Sequence, residues 1–242
     1  MDNYNLCSLL FDTVTPDYNT NLQTLLELVE QTAPNSLIVA PEVCLTSYDY
    51  DNLEEVLSFA HVATEAIKKV SQNKIIILTM IERRDGKVFN FAKIFHNGAV
   101  VYEQAKAKLF KFGDEHKYID SGSVDDIGIV EVDGLKIGIL ICFELRFKDF
   151  WQKLEGADII AIPAWWGVLR TENFKAITQT LAIINQCYLV ASDSKDDECT
   201  KMSGIIDPHG NVLRNTDMAR LEVAYAKKEI DIMRRYMDVG IG

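Results

Sequence analysis

Three residues in this chain stand where side chains can do chemistry, each at or near the end of an apolar run. Cys142 closes Lys136-Ile137-Gly138-Ile139-Leu140-Ile141, a run too apolar for anything but a buried strand, and precedes a predicted helix. The carboxyl end of a strand in an α/β sheet is where ligands are met. A tight turn there can aim a thiol into a cleft, with the following backbone N–H groups facing a developing oxyanion. Glu42 has an equivalent place, because Leu37-Ile38-Val39-Ala40 reads as a strand that Pro41 stops. Desolvation at such a strand mouth raises a carboxyl group's proton affinity toward that of a useful general base. Lys108 lies in a segment, residues 106–115, where charged and apolar residues alternate. That alternation can place Lys108 inward as an electrostatic clamp, with Lys106 and Lys111 facing water. Taken singly, each residue also has an ordinary account: an inert core thiol, a solvated loop carboxylate, a charged loop on a wet face. Cys7, Cys44, Cys187 and Cys199 keep the core account.

The elements that must position these groups alternate in type. Residues 5–11 read as a strand, and residues 19–32 carry Leu22, Leu25, Leu26 and Val29 on one helical stripe. A short buried strand over 36–40, a helix over 53–71 and a strand over 74–81 complete a β-α-β-α-β opening. The continuous apolar run of that last strand implies burial on both faces. The middle of the chain turns antiparallel: strands over 88–95 and 99–103 flank His96-Asn97-Gly98, and strands over 127–132 and 135–141 flank Asp133-Gly134. A helix over 146–154, a strand over 158–162, a helix over 171–185, a strand over 188–192 and a hairpin across residues 207–211 follow. Two mixed sheets with helices outside, a four-layer α-β-β-α sandwich of class α/β, is the economical arrangement. No linker or repeat divides residues 1–242, so a single domain is expected.

Composition narrows the function classes. The chain has 242 residues, 48% of them apolar, with 25 Lys and Arg against 36 Asp and Glu. The formal net charge of -11 opposes a polyanionic partner, so nucleic acid is not an expected ligand. No run reaches the length of a membrane span and the start is neither basic nor apolar, so no membrane partner and a cytoplasmic location are expected. Five cysteines without a CxxC pair indicate thiols rather than disulfides or a zinc ribbon. Neither a phosphate loop nor a metal-ligand spacing is present, so no cofactor or metal is expected.

In combination the candidates say more than they do singly. Pro41-Glu42, then Lys108-Leu109-Phe110 followed by Glu115, then Gly138-Ile139-Leu140-Ile141-Cys142-Phe143-Glu144-Leu145-Arg146-Phe147, resemble the carbon-nitrogen hydrolase (nitrilase) superfamily. The resemblance continues through Ala182-Ile183-Ile184-Asn185-Gln186-Cys187-Tyr188-Leu189-Val190 and Ser203-Gly204-Ile205-Ile206-Asp207-Pro208-His209-Gly210, and so spans nearly the whole chain. It implies Cys142 as nucleophile, Glu42 as general base, Lys108 as oxyanion stabiliser with the Phe143 N–H, and Glu115 as a second carboxylate positioning the lysine or the substrate. A thiol of ordinary pKa, about 8.5, is mostly protonated at neutral pH and needs such a base to attack an amide. Two carboxylates around one ammonium would keep Lys108 charged despite burial.

The resemblance lies nearest the ω-amidase-like branch, whose members hydrolyse the terminal amide of small dicarboxylic monoamides and release ammonia. N-carbamoyl hydrolysis, nitrile hydrolysis and a catalytically inactive binding module are the alternatives on the same fold. Trp165 and Trp166 follow a strand at the same sheet end as Cys142 and are expected to line the substrate pocket with Phe143. Arg170 is the candidate cation for a substrate's far carboxylate. Leu181 and Ile184 stand where the superfamily commonly has an Arg and a Glu, an exchange of an ion pair for hydrocarbon that leaves no unpaired charge. A homodimer or larger assembly is implied, with Phe147, Phe150, Trp151 and Phe174 as aromatic residues suited to its interface. A Cys/His dyad is the rival mechanism, and His116, beside Glu115, is its only plausible histidine.

Overall fold

The computed structural model describes residues 4–215 and 217–238. Strands β1 (Asn5–Leu9), β2 (Ser36–Val39), β3 (Lys74–Arg84), β4 (Lys87–His96) and β5 (Ala99–Ala105) belong to one sheet. Helices α1 (Tyr18–Glu30) and α2 (Leu53–Val70) cover its outer face. Strands β6 (Ile129–Val132), β7 (Leu135–Ile139), β8 (Ile159–Pro163), β9 (Tyr188–Ser192), β10 (Ser203–Ile206) and β11 (Val212–Asn215) form the second sheet. It is covered by α3 (Lys148–Lys153) and α4 (Thr171–Asn185). The chain then crosses back: β12 (Arg220–Ala224) pairs antiparallel with β1, and α5 (Lys227–Asp238) follows.

Each sheet has six strands and a parallel centre, β1-β2-β3 in one and β7-β8-β9 in the other, flanked by antiparallel strands. The expected α-β-β-α sandwich with two mixed sheets is therefore the observed one. Its cause is visible in the alternation of the parallel strands. Leu6, Leu37, Ile75 and Ile77 point to the layer between the sheets, where they meet Ile137, Ile139, Ile159 and Val190. Cys7, Ile38, Ile76 and Leu78 point the other way, against Leu22, Leu25 and Val29 of α1 and Ala63 and Ile67 of α2. Ser8 and Ser192 satisfy their buried hydroxyls across the sheet-sheet interface, donating to the carbonyls of Ala191 (2.5 Å) and Leu9 (2.6 Å).

The three expected hairpins form: β10 and β11 pair across residues 207–211, and both residues of Asn97-Gly98 and of Asp133-Gly134 are at positive φ, as a two-residue turn between twisted strands requires. Three differences from the sequence reading have physical reasons. Asp85-Gly86 makes a further hairpin of the two-residue kind, so β3 and β4 run on past their apolar parts as a charged ribbon. The helix expected over 146–154 is a 3₁₀ turn over Cys142–Arg146 followed by the short α3, because the chain turns sharply at the cysteine. The last strand and helix are absent from the sequence reading because charged residues dominate them, yet Leu221 and Val223 alternate along β12 and pack on the core, and Ile230 of α5 is buried in it. Lys227 and Arg234 of α5 also pair with the buried Asp158.

Candidate active site

The carboxyl ends of β2, β7, β8 and β9 converge, and the candidate groups follow directly from that. Past β2, Ala40 still donates to the Ile77 carbonyl (2.9 Å), and Pro41 then releases the chain so that Glu42 turns inward with 1% of its surface exposed. Past β7, Cys142 takes φ +43°, the left-handed region that an L residue enters at a cost, and this sharp turn presents its thiol to a cavity. The turn is held by Glu144, fully buried, whose carboxylate accepts the Ile141 N–H (2.8 Å) and, from the other sheet's loop, the Ala107 N–H (2.7 Å).

The buried cation of the site is Lys106, and this corrects the expectation for Lys108. Lys106 is 0% exposed and donates to Glu42 Oε1 (2.8 Å) and Glu115 Oε1 (2.7 Å). Lys108 is half-buried, with its ammonium 5.4 Å from the centre of the Phe147 ring. The reason is register. Gln104 faces the layer between the sheets and donates to the Ile139 carbonyl (3.3 Å); Lys106 extends the same pairing through its N–H to Asn90 O (2.8 Å), so it repeats that inward direction two residues on. The pattern breaks at Ala107, whose N–H goes to Glu144, and Lys108 no longer follows it.

Glu42 Oε1 is crowded with donors: Lys106, the Tyr48 hydroxyl (2.6 Å) and the Asn90 amide (3.0 Å). Its other oxygen, Oε2, is buried and has no partner. Glu115 Oε2 accepts the Phe110 N–H (3.0 Å), which ties the loop after β5 to the ion cluster. Burial raises the Glu42 pKa above the usual carboxylate range against the pull of Lys106, and the Glu115 charge raises it further. Burial works against the Lys106 ammonium, yet Glu42 and Glu115 outweigh it and hold the lysine charged. The Cys142 thiol is pushed well above the ordinary thiol range by burial, with the Glu42 charge adding to it. In the resting site the thiol therefore keeps its proton, and its Sγ donates to the Trp165 carbonyl at 3.5 Å.

The thiol opens on a cavity of about 260 Å³. Phe143, Trp165, Trp166, Arg170 and Glu115 line it as expected; Tyr48, Phe110, Arg146 and Glu198 line it as well and were not foreseen. Both arginines lie against aromatic faces, Arg146 at 5.0 Å from the Trp166 ring and Arg170 at 5.1 Å from that of Phe110. His116 is exposed and not among the lining residues, so the structure gives a Cys/His dyad no geometry. Asn90 had a signal in the sequence, a lone amide inside the apolar Val88-Phe89-Asn90-Phe91-Ala92, whereas Tyr48 had none.

The model of the carbon-nitrogen hydrolase family matches residues 5–236. The 2-oxoglutaramate amidase of Bacillus subtilis (strain 168) is 33% identical over 202 residues, covering 77% of each chain. The deaminated glutathione amidase of Escherichia coli O157:H7 is 30% identical over 211 residues, covering 81% of this chain and 80% of its own. Among solved structures, XC1258 from Xanthomonas campestris, a CN-hydrolase superfamily protein with an arsenic adduct in its active site, superposes with a TM-score of 0.86. It is 19% identical, with 98% of this chain and 96% of that one covered. Fold and sequence define a hydrolase of carbon-nitrogen amide bonds. The chain belongs to the carbon-nitrogen hydrolase family, in its ω-amidase-like branch.

Proposed function

We propose that the chain hydrolyses the terminal amide of a short dicarboxylic acid monoamide through a thioester on Cys142, with Glu42 as general base, Lys106 as oxyanion stabiliser and Glu115 holding the lysine. The observation that carries this is the division of labour at Glu42: Oε1 takes every donor in reach, and Oε2 is left buried and bare. A buried carboxylate oxygen without a donor is costly unless it has a proton to receive. In the acylation step the Cys142 proton passes to Glu42 Oε2 as the sulfur attacks the amide carbon. The oxyanion faces the Phe143 N–H and Lys106 Nζ. Two of the three lysine N–H groups are committed to carboxylates, and the third, on a longer 3.2 Å contact to Tyr48, is the one free to turn. Glu42 returns the proton to the departing nitrogen, so ammonia leaves and the C–N bond breaks. Glu42 then deprotonates the water that cleaves the thioester, and the thiol recovers its proton as the acid departs.

The substrate class rests on the 33% identical 2-oxoglutaramate amidase and on the two arginines of the cavity wall, which suit a carboxylate at the far end of a small substrate. The test is ammonia release by the parent and by Cys142→Ala across ω-amide acids such as 2-oxoglutaramate, nitriles and N-carbamoyl amino acids. Turnover of the ω-amide acids, abolished by the substitution, is the expected result. Turnover of the nitriles or N-carbamoyl compounds alone would overturn the substrate class and leave the cysteine chemistry intact.

The proposed homodimer loses two of its expected contacts, because Phe150 and Phe174 are buried in the chain's own core. The exposed apolar residues of α4 are Ile183 and Ile184, and light scattering of Ile184→Glu against the parent tests that face. Among the described residues no helix is long and apolar enough to cross a membrane.

A further inference from the structure

The Cys142 thiol is parked on one peptide unit, and a second buried acid, Asp193, grips that unit from behind. The carbonyl of Trp165 accepts from Sγ at 3.5 Å, and the N–H of Trp166, the other half of the same peptide, donates to Asp193 Oδ1 at 2.8 Å. A planar trans peptide directs its C=O and N–H to opposite sides, so whatever fixes the N–H fixes the carbonyl too. Asp193 follows β9 and is 0% exposed; its Oδ2 accepts the Thr200 hydroxyl at 2.6 Å, so the carboxyl group is itself held at both oxygens. The peptide before it is equally constrained. Ala164 donates to the Ser192 carbonyl (2.8 Å) and accepts the N–H of Glu42 (3.1 Å). Residues 164–166 thus connect the backbone of the base, the thiol and Asp193 over three positions. Loop 193–200 also closes against the same wall, with the Thr200 N–H on Trp166 O (2.8 Å) and the Val168 N–H on Glu198 O (2.7 Å).

A buried carboxyl group with no cation beside it is costly, and here it gathers the Trp166 N–H and the Thr200 hydroxyl, with the backbone of Ser194 and Thr200 also bonded to it. What this placement achieves is direction. We propose that Asp193 is a positioning residue for the nucleophile: by holding the Trp166 N–H it sets the Trp165 carbonyl on which Sγ rests, and so the rotamer from which Cys142 attacks. It touches neither substrate nor sulfur, and its effect is transmitted through one amide plane. The proposal rests on the thiol chemistry above in its kinetic arm only.

The experiment compares the parent with Asp193→Ala, Asp193→Asn and Thr200→Val, all counted by titration of active sites so that misfolded protein drops out. Asn keeps an oxygen for the Trp166 N–H; Ala keeps none. The expected result is a fall in kcat per titrated site of about tenfold or more in Asp193→Ala with KM within threefold, and recovery of most of that loss in Asp193→Asn. Thr200→Val falls between parent and Ala. The second readout, iodoacetamide alkylation of Cys142 against pH, needs no substrate. Moving the Trp165 peptide changes the bond on which the sulfur rests, so the midpoint in Asp193→Ala shifts by about half a pH unit. The groups that face Sγ, namely Glu42, Lys106, Glu115 and Tyr48, are unchanged in all three variants. Equal damage in the Ala and Asn variants, or a loss in KM alone, overturns the proposal, as does an unmoved alkylation midpoint. If Asp193→Ala does not fold, an Asp193→Asn protein with parental kcat and a Thr200→Val protein with a shifted midpoint still support it. Parental values for both variants in both readouts sink it.

Discussion

Lys106 and Glu115 meet at 2.7 Å across a loop that begins one residue past β5, and this bond, more than any turn sequence, fixes where the cavity's Phe110 wall stands. Lys106→Met leaves Glu42 and Glu115 facing each other in a dry site. We expect it to remove turnover and to cost about 3–5 kcal/mol of stability, as breaking a buried ion cluster does. Lys108→Ala is expected to stay within about threefold of the parent rate, since that ammonium is half-buried against an aromatic ring. Chemical denaturation and ammonia release on the pair separate the two lysines. A dead Lys108→Ala beside an active Lys106→Met would reverse the assignment.

Glu42→Gln should move two readouts in opposite directions. Turnover falls by at least about a hundredfold because an amide cannot take the thiol proton. Alkylation of Cys142 near neutral pH becomes faster, because burial and the Glu42 charge together hold the thiol up and only the charge is removed. Parallel loss of both activities would show Glu42 to be supporting the fold rather than handling the proton.

Arg170→Ala tests one of the two cations on the cavity wall. A guanidinium that binds a substrate's distant carboxylate equally in ground and transition states raises KM when removed and leaves kcat nearly unchanged. We expect a KM increase of about tenfold or more on ω-amide acids and a smaller change on uncharged amides. An unchanged KM on the charged substrates would assign the role to Arg146 alone, the cavity arginine that lies over the Trp166 ring.

Stability should fall as the pH rises through the neutral range, in part through Asp193. Burial pushes its carboxyl up to about 7, against an unfolded value of about 3.9, so between those pH values the folded chain binds a proton that the unfolded chain has released. The stabilisation is present below about pH 4 and lost by about pH 7. Asp193→Asn cannot titrate. From pH 5 to 7.5 the stability of the parent relative to Asp193→Asn is therefore expected to drop by about 1–3 kcal/mol, read from denaturant midpoints at each pH. A difference that stays constant or grows across that range would mean that the buried carboxyl is already ionised.

The parts of the site at strand ends were legible because an apolar run and its stop mark a position without any knowledge of register: Cys142 after Ile141 and Glu42 after Pro41 both lie where the sequence puts them. Lys106 was not, because choosing between it and Lys108 requires knowing how far the inward direction of Gln104 persists, and that is decided by pairing with Asn90 on another strand. The hairpins at Asn97-Gly98 and Asp133-Gly134 declared themselves through residues that accept positive φ, whereas the same signal at Asp85-Gly86 lay between charged residues and was missed. Asp193 lies in the polar run Ser192-Asp193-Ser194-Lys195-Asp196-Asp197, where composition reads as a solvated loop and nothing local shows that one of its carboxyls is fully buried. At the far end of the chain, β12 and α5 are held by pairing with β1, by Ile230 in the core and by Asp158, in a segment whose charged residues hide those few apolar positions.

The pairing of β12 with β1 sets an order on how this molecule can be made. Asn5 meets Ala224 in register, so β1 keeps an open edge until more than two hundred further residues have been synthesised. Helices α1 and α2 can cover the outer face of the first sheet early, through contacts close in sequence, but the edge beside β1 stays unpaired until the chain has built the whole second sheet and returned. Between the synthesis of β1 and that of β12 the nascent chain thus carries an exposed strand edge, a liability that belongs to the topology itself and is separate from anything the active site requires.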